Sequence, residues 1–500
     1  MLDIALTAAG NVFTLQSLLF LTIGMLIGLV VGVVPGMGGT TALAVFGPMT
    51  VGLDPYSALS LAGGLMGAVS FGGSVTSILI NLPGGAPNAA TCLDGYPLAQ
   101  QGKAGLALGA SASASSVGGV IGVFTLLLVI PISKKIVLAF GPSEFFLLAT
   151  LGLVTIAACA PGRMLRAMIV GGIGLLFAFI GFDNVNGGTR FTFGIEHLWE
   201  GIPLAPAMIG LFAFPEMIEL SAKGGSIAKD KGQVGLTGTL DGVWASFKYW
   251  KTLLRGSLIG TLVGAIPGVG GTVAAFLAYF STVQASKNPE SFGKGNIEGV
   301  IAPEAANNAK DGGNLIPTLA FGIPGTAEMA VLLGVLVLHG MEPGPTMILH
   351  HEAEIYGLIL TLTLSSILAS VIGLMMVRPL AMITRLDAHI LVPSVIAISF
   401  VGAYANDSLP GDIVLAFVFG VIGYLLIRFD YPRLPLVIAL VLGELAERSF
   451  AQAMMISGGS WSIFVTRPIS ALLFALIVMA LTYPMIRTLL QRRHSVEEAS

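Results

Sequence analysis

Long apolar stretches separated by short polar segments run along most of the chain. They cover residues 15–34, 41–53, 57–80, 105–130, 145–160, 165–182, 201–220, 253–266, 272–283, 315–340, 354–377, 390–404, 411–427, 434–446 and 466–488. Such runs are typical of helices that cross a membrane, at about 20 residues per span. The pattern therefore predicts an all-α polytopic membrane protein with about 10–12 transmembrane helices and additional broken or re-entrant helices.

The composition agrees with this fold class. Hydrophobic residues make up 55% of the chain and charged residues only 10%, whereas a soluble domain carries about 25% charged residues. The long apolar runs also argue against a transmembrane β-barrel, whose strands alternate in polarity over about ten residues.

One unusual pentapeptide, Pro-Gly-x-Gly-Gly, occurs inside this apolar sequence at residues 35–39 and again at 267–271. Proline removes a backbone donor and glycine lacks a side chain, so each copy should interrupt a membrane helix. Broken helices at corresponding positions of two halves are typical of the binding sites of secondary transporters. The alternative is a close crossing of two helices, in which small residues let the backbones touch.

A second pair of motifs follows each pentapeptide in the same order. Pro83-Gly84 comes after a polar segment that begins at Ser74, and Pro324-Gly325 comes after one that begins at Glu304. We therefore predict a duplication in which residues 1–221 form a first repeat and residues 252–450 a second. Residues 222–251 would be a linker, and residues 451–500 would add a C-terminal helix and a basic tail.

The distribution of lysine and arginine predicts how the halves are oriented. The linker is rich in lysine and the C-terminal tail contains Arg487, Arg492 and Arg493, so both should be cytoplasmic by the positive-inside rule. The last helix has no counterpart in the first half. The two halves would then have inverted topology, with the N-terminus outside.

The candidate binding residues are the two helix breaks and the polar side chains around them. A broken helix exposes the N–H groups of the next segment, where Thr40, Thr41 and Thr272 could cap the helix or bind a ligand. Side-chain amides and hydroxyls at membrane depth are costly unless they face a cavity or one another. Those near the breaks could therefore bind a substrate or a cation, or they could form hydrogen bonds that join neighbouring helices. Glu304 and Glu328 are the better candidates for cation coupling. The complete predicted set is Pro35, Gly36, Gly38, Gly39, Thr40, Thr41, Ser74, Thr76, Ser77, Asn81, Pro83, Gly84, Pro267, Gly268, Gly270, Gly271, Thr272, Glu304, Asn307, Asn308, Asn314, Thr318, Pro324, Gly325 and Thr326.

Several of these motifs together resemble a known family. The segments at residues 32–39, 72–84 and 93–99, and in the second half those at 303–309 and 322–325, are similar in sequence and order to the large membrane subunit of the tripartite tricarboxylate transporters. The similarity spans nearly the whole chain. It departs from the family pattern at Gly85–Asn88, where many relatives place a glutamate after Pro-Gly, so no role of that acid is carried over.

The resemblance implies a subunit of a secondary transporter in the bacterial inner membrane that imports tricarboxylates or related organic acids. It further implies a periplasmic substrate-binding protein, a small four-helix membrane subunit, a driving gradient of Na⁺ or H⁺, and an elevator-type arrangement. Apart from that coupling cation and the lipid bilayer, we expect no metal, other cofactor or nucleic acid to bind.

Two other functions are compatible with parts of the sequence. An organic-anion channel or exporter would need no binding protein. A membrane-embedded enzyme would need a nucleophile with a base or a metal cluster, and the sequence offers neither pattern, so we expect no catalytic residues.

Overall fold

The computed structural model describes residues 2–34, 36–158, 163–183, 187–223, 237–383, 388–405 and 408–497. These residues are predominantly helical, which confirms the prediction of an all-α polytopic membrane protein. Among them, six helices are long and apolar enough to cross a membrane, and five shorter helices of 10–17 residues are also apolar.

The helices up to the linker are α1 (Leu2–Val12), α2 (Leu15–Val33), α3 (Gly39–Phe46), α4 (Pro55–Ile80), α5 (Ala89–Gln100), α6 (Ala104–Leu138), α7 (Pro142–Ala158), α8 (Met164–Ala178), α9 (Leu204–Met208), α10 (Phe214–Lys223) and α11 (Thr239–Lys248). A π-helical turn, Ile209–Ala213, joins α9 to α10, and 3₁₀ turns lie at Gly47–Thr50, Ala86–Asn88 and Glu196–Leu198. In the predicted linker, residues 224–236 lie outside the described residues, and α11 occupies part of the rest.

The later helices are α12 (Trp250–Gly264), α13 (Gly270–Ala285), α14 (Glu298–Phe321), α15 (Ala327–Leu338), α16 (Pro345–His350), α17 (Glu352–Met375), α18 (Val377–Ile383), α19 (Ala388–Ala405), α20 (Pro410–Arg428), α21 (Leu434–Ile456), α22 (Ile463–Thr466) and α23 (Pro468–Glu497). A further 3₁₀ turn lies at Pro289–Ser291.

One short hairpin was not anticipated by the hydrophobic pattern. Strands β1 (Gly181–Phe182) and β2 (Thr189–Arg190) pair antiparallel, with Gly181 opposite Arg190. Two-residue strands are too short to produce a recognisable alternation of polar and apolar positions, which explains why the sequence did not indicate them.

The chain forms two compact units. The first contains residues 1–134, 205–320 and 324–424, and the second contains residues 135–204, 321–323 and 425–500. Both units therefore draw residues from each predicted repeat, so the units do not coincide with the sequence halves. The repeat boundaries themselves stay a prediction.

Closely packed helices form the interior of the first unit. Glycines recur at every fourth position of α2 and α12, namely Gly24, Gly28, Gly32, Gly256, Gly260 and Gly264. A Cβ atom on Gly28 would collide with the carbonyl oxygen of Leu65 in α4, and one on Gly260 would collide with that of Ala306 in α14. Small residues at such crossings let membrane helices approach until their backbones touch. The helix that precedes each break is thereby held firmly against a neighbour.

Apolar packing and arginine ion pairs stabilise the second unit. Its core includes Leu147 and Leu442, from α7 and α21. Arg190 of the hairpin pairs with Glu447 at 2.6 Å and lies 3.6 Å from Asp183. The hydrogen bond that the Arg190 guanidinium donates to Glu447 raises the pKa of Arg190 above its ordinary value. These contacts tie the hairpin to α21.

Candidate functional site

The two helix breaks of each half are joined by one backbone hydrogen bond. The Gly36 N–H donates to the carbonyl oxygen of Gly84 at 2.9 Å, and the Gly268 N–H donates to that of Gly325 at 3.0 Å. Gly36 and Gly268 have φ angles of 86° and 83°, a left-handed conformation that strongly favours glycine. Each pentapeptide is therefore fixed to the Pro-Gly break that follows it in the same half. Pro35 lies outside the described residues, and Pro267 is partly buried just before Gly268.

Helices α3 and α13 begin within the last two residues of the pentapeptides, and in the described structure the first amides of each helix have no side-chain cap. Helix α3 begins at Gly39 after Gly38, and α13 begins at Gly270 after Val269. The expectation that Thr40, Thr41 or Thr272 caps these helices is therefore wrong, because all three lie inside the first turn. Their predicted role in ligand binding stays a prediction.

A buried group of charged residues lies beside both helix starts. Lys310 Nζ is 2.5 Å from a carboxylate oxygen of Asp311 and 3.7 Å from one of Glu328. The Lys310 side chain is only 6% exposed. A Cβ atom on Gly39 would collide with the carboxylate of Glu328, and one on Gly271 would collide with the stem of Lys310. The absence of side chains at these two glycines therefore makes room for the ion group.

This group connects parts of the chain that are far apart in sequence. The start of α3 contacts Glu328, which pairs with Lys310, which in turn lies against the start of α13. A helix N-terminus carries a partial positive charge, and Lys310 adds a full one. The arrangement can therefore bind an anion if the anion displaces one of the two carboxylates from Lys310.

Sequence reasoning missed Lys310 and Asp311. The sequence did contain an indication of their importance. Adjacent lysine and aspartate within a predicted membrane segment are costly and usually have a function. Neighbouring opposite charges also occur at the ends of membrane helices, and nothing in the sequence alone placed Glu328 beside them.

Glu304, also in α14, is surrounded by hydroxyl groups. It is fully buried and accepts hydrogen bonds from Ser74 at 2.7 Å, Thr91 at 2.5 Å, Ser111 at 2.9 Å and Ser115 at 2.8 Å. The donors come from α4, α5 and α6, and the acceptor from α14. A carboxylate has about four lone-pair positions, so these contacts fill them. The arrangement joins three helices of the first half to one of the second.

Asn88, which was also missed, extends this hydrogen-bond network to the first Pro-Gly break. Its amide donates to Ser74 Oγ at 2.9 Å and to the Ser70 carbonyl at 3.1 Å, and its oxygen accepts from the Gly85 N–H at 3.2 Å. The Asn88 side chain therefore fixes the backbone of the first Pro-Gly break to α4.

The asparagines of α14 are deeply buried and incompletely bonded. Asn307 Oδ1, Asn308 Oδ1 and Asn314 Nδ2 have no hydrogen-bond partner among the described residues. Buried polar atoms are rarely left unpaired, because each costs about 1–3 kcal/mol. Asn307 and Asn314 are three and four residues from Lys310, on the same face of the helix. Thr318, by contrast, donates to the Asn314 carbonyl at 2.6 Å.

The remaining predicted polar residues have local roles in the structure. Thr76 and Ser77 both donate to the Gly73 carbonyl within α4, at 3.0 and 2.9 Å. Thr326 caps α15 by accepting from the Met329 N–H at 3.3 Å. Pro83, Gly84, Pro324 and Gly325 form the breaks themselves. These contacts account for the residues without requiring a ligand.

Asn81 ends α4 in a left-handed conformation, with φ at 56° and an exposed side chain. Asn81→Gly should therefore keep its thermal stability near the unmodified level, whereas Asn81→Leu should lower the free energy of unfolding by about 1–2 kcal/mol. Thermal unfolding of the purified protein measures both effects. An Asn81→Gly protein as unstable as Asn81→Leu would contradict this explanation of the residue.

Paired broken helices, helix starts without side-chain caps and buried charged residues in an apolar helical chain are together typical of membrane transporters. Residues 18–438 match the family described as "Tripartite tricarboxylate transporter TctA family", and the chain belongs to that family. This confirms the resemblance seen in the motifs.

Two proteins of Agrobacterium vitis are similar to the chain. One, described as "Uncharacterized 52.8 kDa protein in TAR-I ttuC' 3'region", is 34% identical over 478 residues, which is 95% of this chain and 94% of the relative. The other, "Uncharacterized protein in TAR-II ttuC' 3'region", is 34% identical over 237 residues, 47% of this chain and 98% of the relative. The similarity to the first covers more of the chain than the family match does.

Proposed function

We propose that this protein is the large membrane subunit of a system that takes up tricarboxylates or related organic acids, driven by a cation gradient. A periplasmic binding protein would deliver the substrate, and a small four-helix subunit would accompany this chain in the bacterial inner membrane. The observation that carries the proposal is that buried Lys310 lies against the start of α13 and pairs with Glu328, which lies against the start of α3. Family membership supports the transport role.

The chemistry of this region favours a carboxylate substrate. In the described part of the chain the starts of α3 and α13 have no side-chain cap, so their amides offer hydrogen-bond donors, and Lys310 offers a charge shielded from water. Anions bind readily where helix N-termini and a cation converge. The unpaired atoms of Asn307 and Asn314 lie on the same helix face and could serve the remaining polar groups of the acid.

Two further features support an alternating-access mechanism between inverted repeats. The hydrogen bond between the paired breaks occurs in both halves. Each compact unit also contains residues from both halves, which is compatible with one unit acting as scaffold and the other as the transport domain. In the elevator arrangement implied by the family resemblance, the substrate site would move relative to the scaffold.

Reconstitution tests the proposal directly. The probes are one tricarboxylate, citrate, one aliphatic dicarboxylate, tartrate, and one aromatic dicarboxylate, terephthalate. Proteoliposomes containing this chain and the small subunit should accumulate one or more of them when the cognate binding protein is added outside. Accumulation should require an inward gradient of Na⁺ or H⁺. Flux without the binding protein, or flux that only equilibrates the acid, would favour a channel or exporter. The absence of transport of all three acids under every gradient would contradict the proposal.

A further inference from the structure

The pairing between Lys310 and Glu328 has the properties of a contact that a substrate can replace. Asp311 is adjacent to Lys310 in α14, lies at 2.5 Å and has a side chain that is 7% exposed. Glu328 belongs to a different helix, lies at 3.7 Å and is 14% exposed. An incoming carboxylate would therefore displace Glu328 more easily than Asp311.

The surroundings of Glu328 show what would stabilise it after displacement. It lies in the first turn of α15, where the helix dipole favours a negative charge. Its carboxylate also lies against the start of α3 at Gly39. These partial charges do not replace a full counter-charge in a buried position. A carboxylate that loses Lys310 there needs a proton or a metal cation.

From these contacts we infer that Glu328 is the coupling residue: a substrate carboxylate takes its place on Lys310, and the released Glu328 then binds the coupling cation. Without substrate, Glu328 shares the Lys310 ammonium group with Asp311, so the group of three carries one net negative charge and Glu328 attracts a cation only weakly. With substrate, the site holds one more negative charge and attracts one cation. Substrate and cation binding thereby favour each other, as thermodynamic linkage requires. This inference rests on the proposed function, since it assigns the coupling step to the same site.

The test compares Glu328→Gln with the unmodified protein in two assays on the same proteoliposomes. The first assay is exchange of labelled for unlabelled acid, using whichever of citrate, tartrate and terephthalate the unmodified protein accumulates, at equal cation concentrations. The second is accumulation of that acid under a cation gradient. We expect exchange to continue in Glu328→Gln while the accumulation ratio falls to about one, the value without energetic coupling.

A matched control is available in the same unit. Lys134 and Glu352 form another lysine–glutamate pair, at 2.7 Å, and Glu352→Gln should leave both exchange and accumulation near the unmodified level. Accumulation by Glu328→Gln equal to that of the control would overturn the inference. So would an equal loss of exchange and accumulation, because a residue that only binds substrate or supports the fold would reduce both. Failure of the unmodified protein to accumulate any of the acids would instead contradict the proposed function.

A second variant covers the case in which Glu328→Gln does not fold. A Cβ atom at Gly39 would occupy the position of the Glu328 carboxylate, and Gly39 does not have a left-handed φ. Gly39→Ala should therefore displace Glu328 from Lys310 in the absence of substrate, so the purified variant should bind the coupling cation without the acid. Thermal unfolding with and without Na⁺, or at two pH values if H⁺ drives accumulation, measures this. A variant that needs the acid for cation binding as much as the unmodified protein does would contradict the inference.

Discussion

Lys310→Met should abolish carboxylate uptake and lower the free energy of unfolding by about 3–5 kcal/mol, because it leaves two buried carboxylates without their counter-charge. Asp311 and Glu328 both depend on the same ammonium group, at 2.5 and 3.7 Å. Methionine preserves most of the length of the lysine stem, which fills the space beside Gly271. Uptake into proteoliposomes and thermal unfolding with and without citrate provide the measurements.

A triple variant separates the loss of binding from the loss of stability. Lys310→Met with Asp311→Asn and Glu328→Gln removes all three charges of the group, and replacing an entire buried ion cluster by neutral residues is often close to neutral for stability. This protein should unfold near the temperature of the unmodified one but should show no stabilisation by citrate, tartrate or terephthalate. If it still binds and transports the acid that the unmodified protein carries, then Lys310 is not the anion-binding group.

The positions of the helix breaks could be predicted from sequence because they are locally determined. Proline and glycine act on the residues around them, and α2 and α12 end just before the two pentapeptides, at Val33 and Gly264. The hydrogen bonds between Gly36 and Gly84 and between Gly268 and Gly325 could not be predicted in the same way. These bonds depend on how the helices pack against one another. The order of polar and apolar residues along the chain does not specify that packing.

The candidate site was predicted only in part, for similar reasons. Glu304 was predicted as a candidate for cation coupling, but its hydroxyl partners, which belong to three helices far away in sequence, could not be predicted. Asn81 was predicted as a binding residue because its amide offers both donors and an acceptor. Asparagine also tolerates the left-handed conformation that Asn81 adopts. One residue type can serve either purpose, and only the backbone geometry distinguishes them.

Glu304→Leu should lower the free energy of unfolding by about 3–5 kcal/mol, because it removes the common acceptor of four buried hydroxyl groups. The hydroxyls of Ser74, Thr91, Ser111 and Ser115 would have to bond to carbonyls of their own helices or stay unpaired. Glu304→Gln keeps the size of the side chain and one good acceptor, so its loss should be smaller, about 1–3 kcal/mol. Thermal or denaturant unfolding in detergent measures both.

The same variants decide whether Glu304 also binds the coupling cation, as its sequence context suggested. Since the four hydroxyl donors fill its lone pairs, we expect Glu304→Gln to retain gradient-driven accumulation in the fraction of protein that is folded. Ser111→Ala should weaken the fold in the same direction, whereas Ser113→Ala is the matched control, because Ser113 bonds to Ser246 and to its own helix rather than to Glu304. A stable Glu304→Gln protein that exchanges substrate but no longer accumulates it would assign the coupling cation to Glu304 after all.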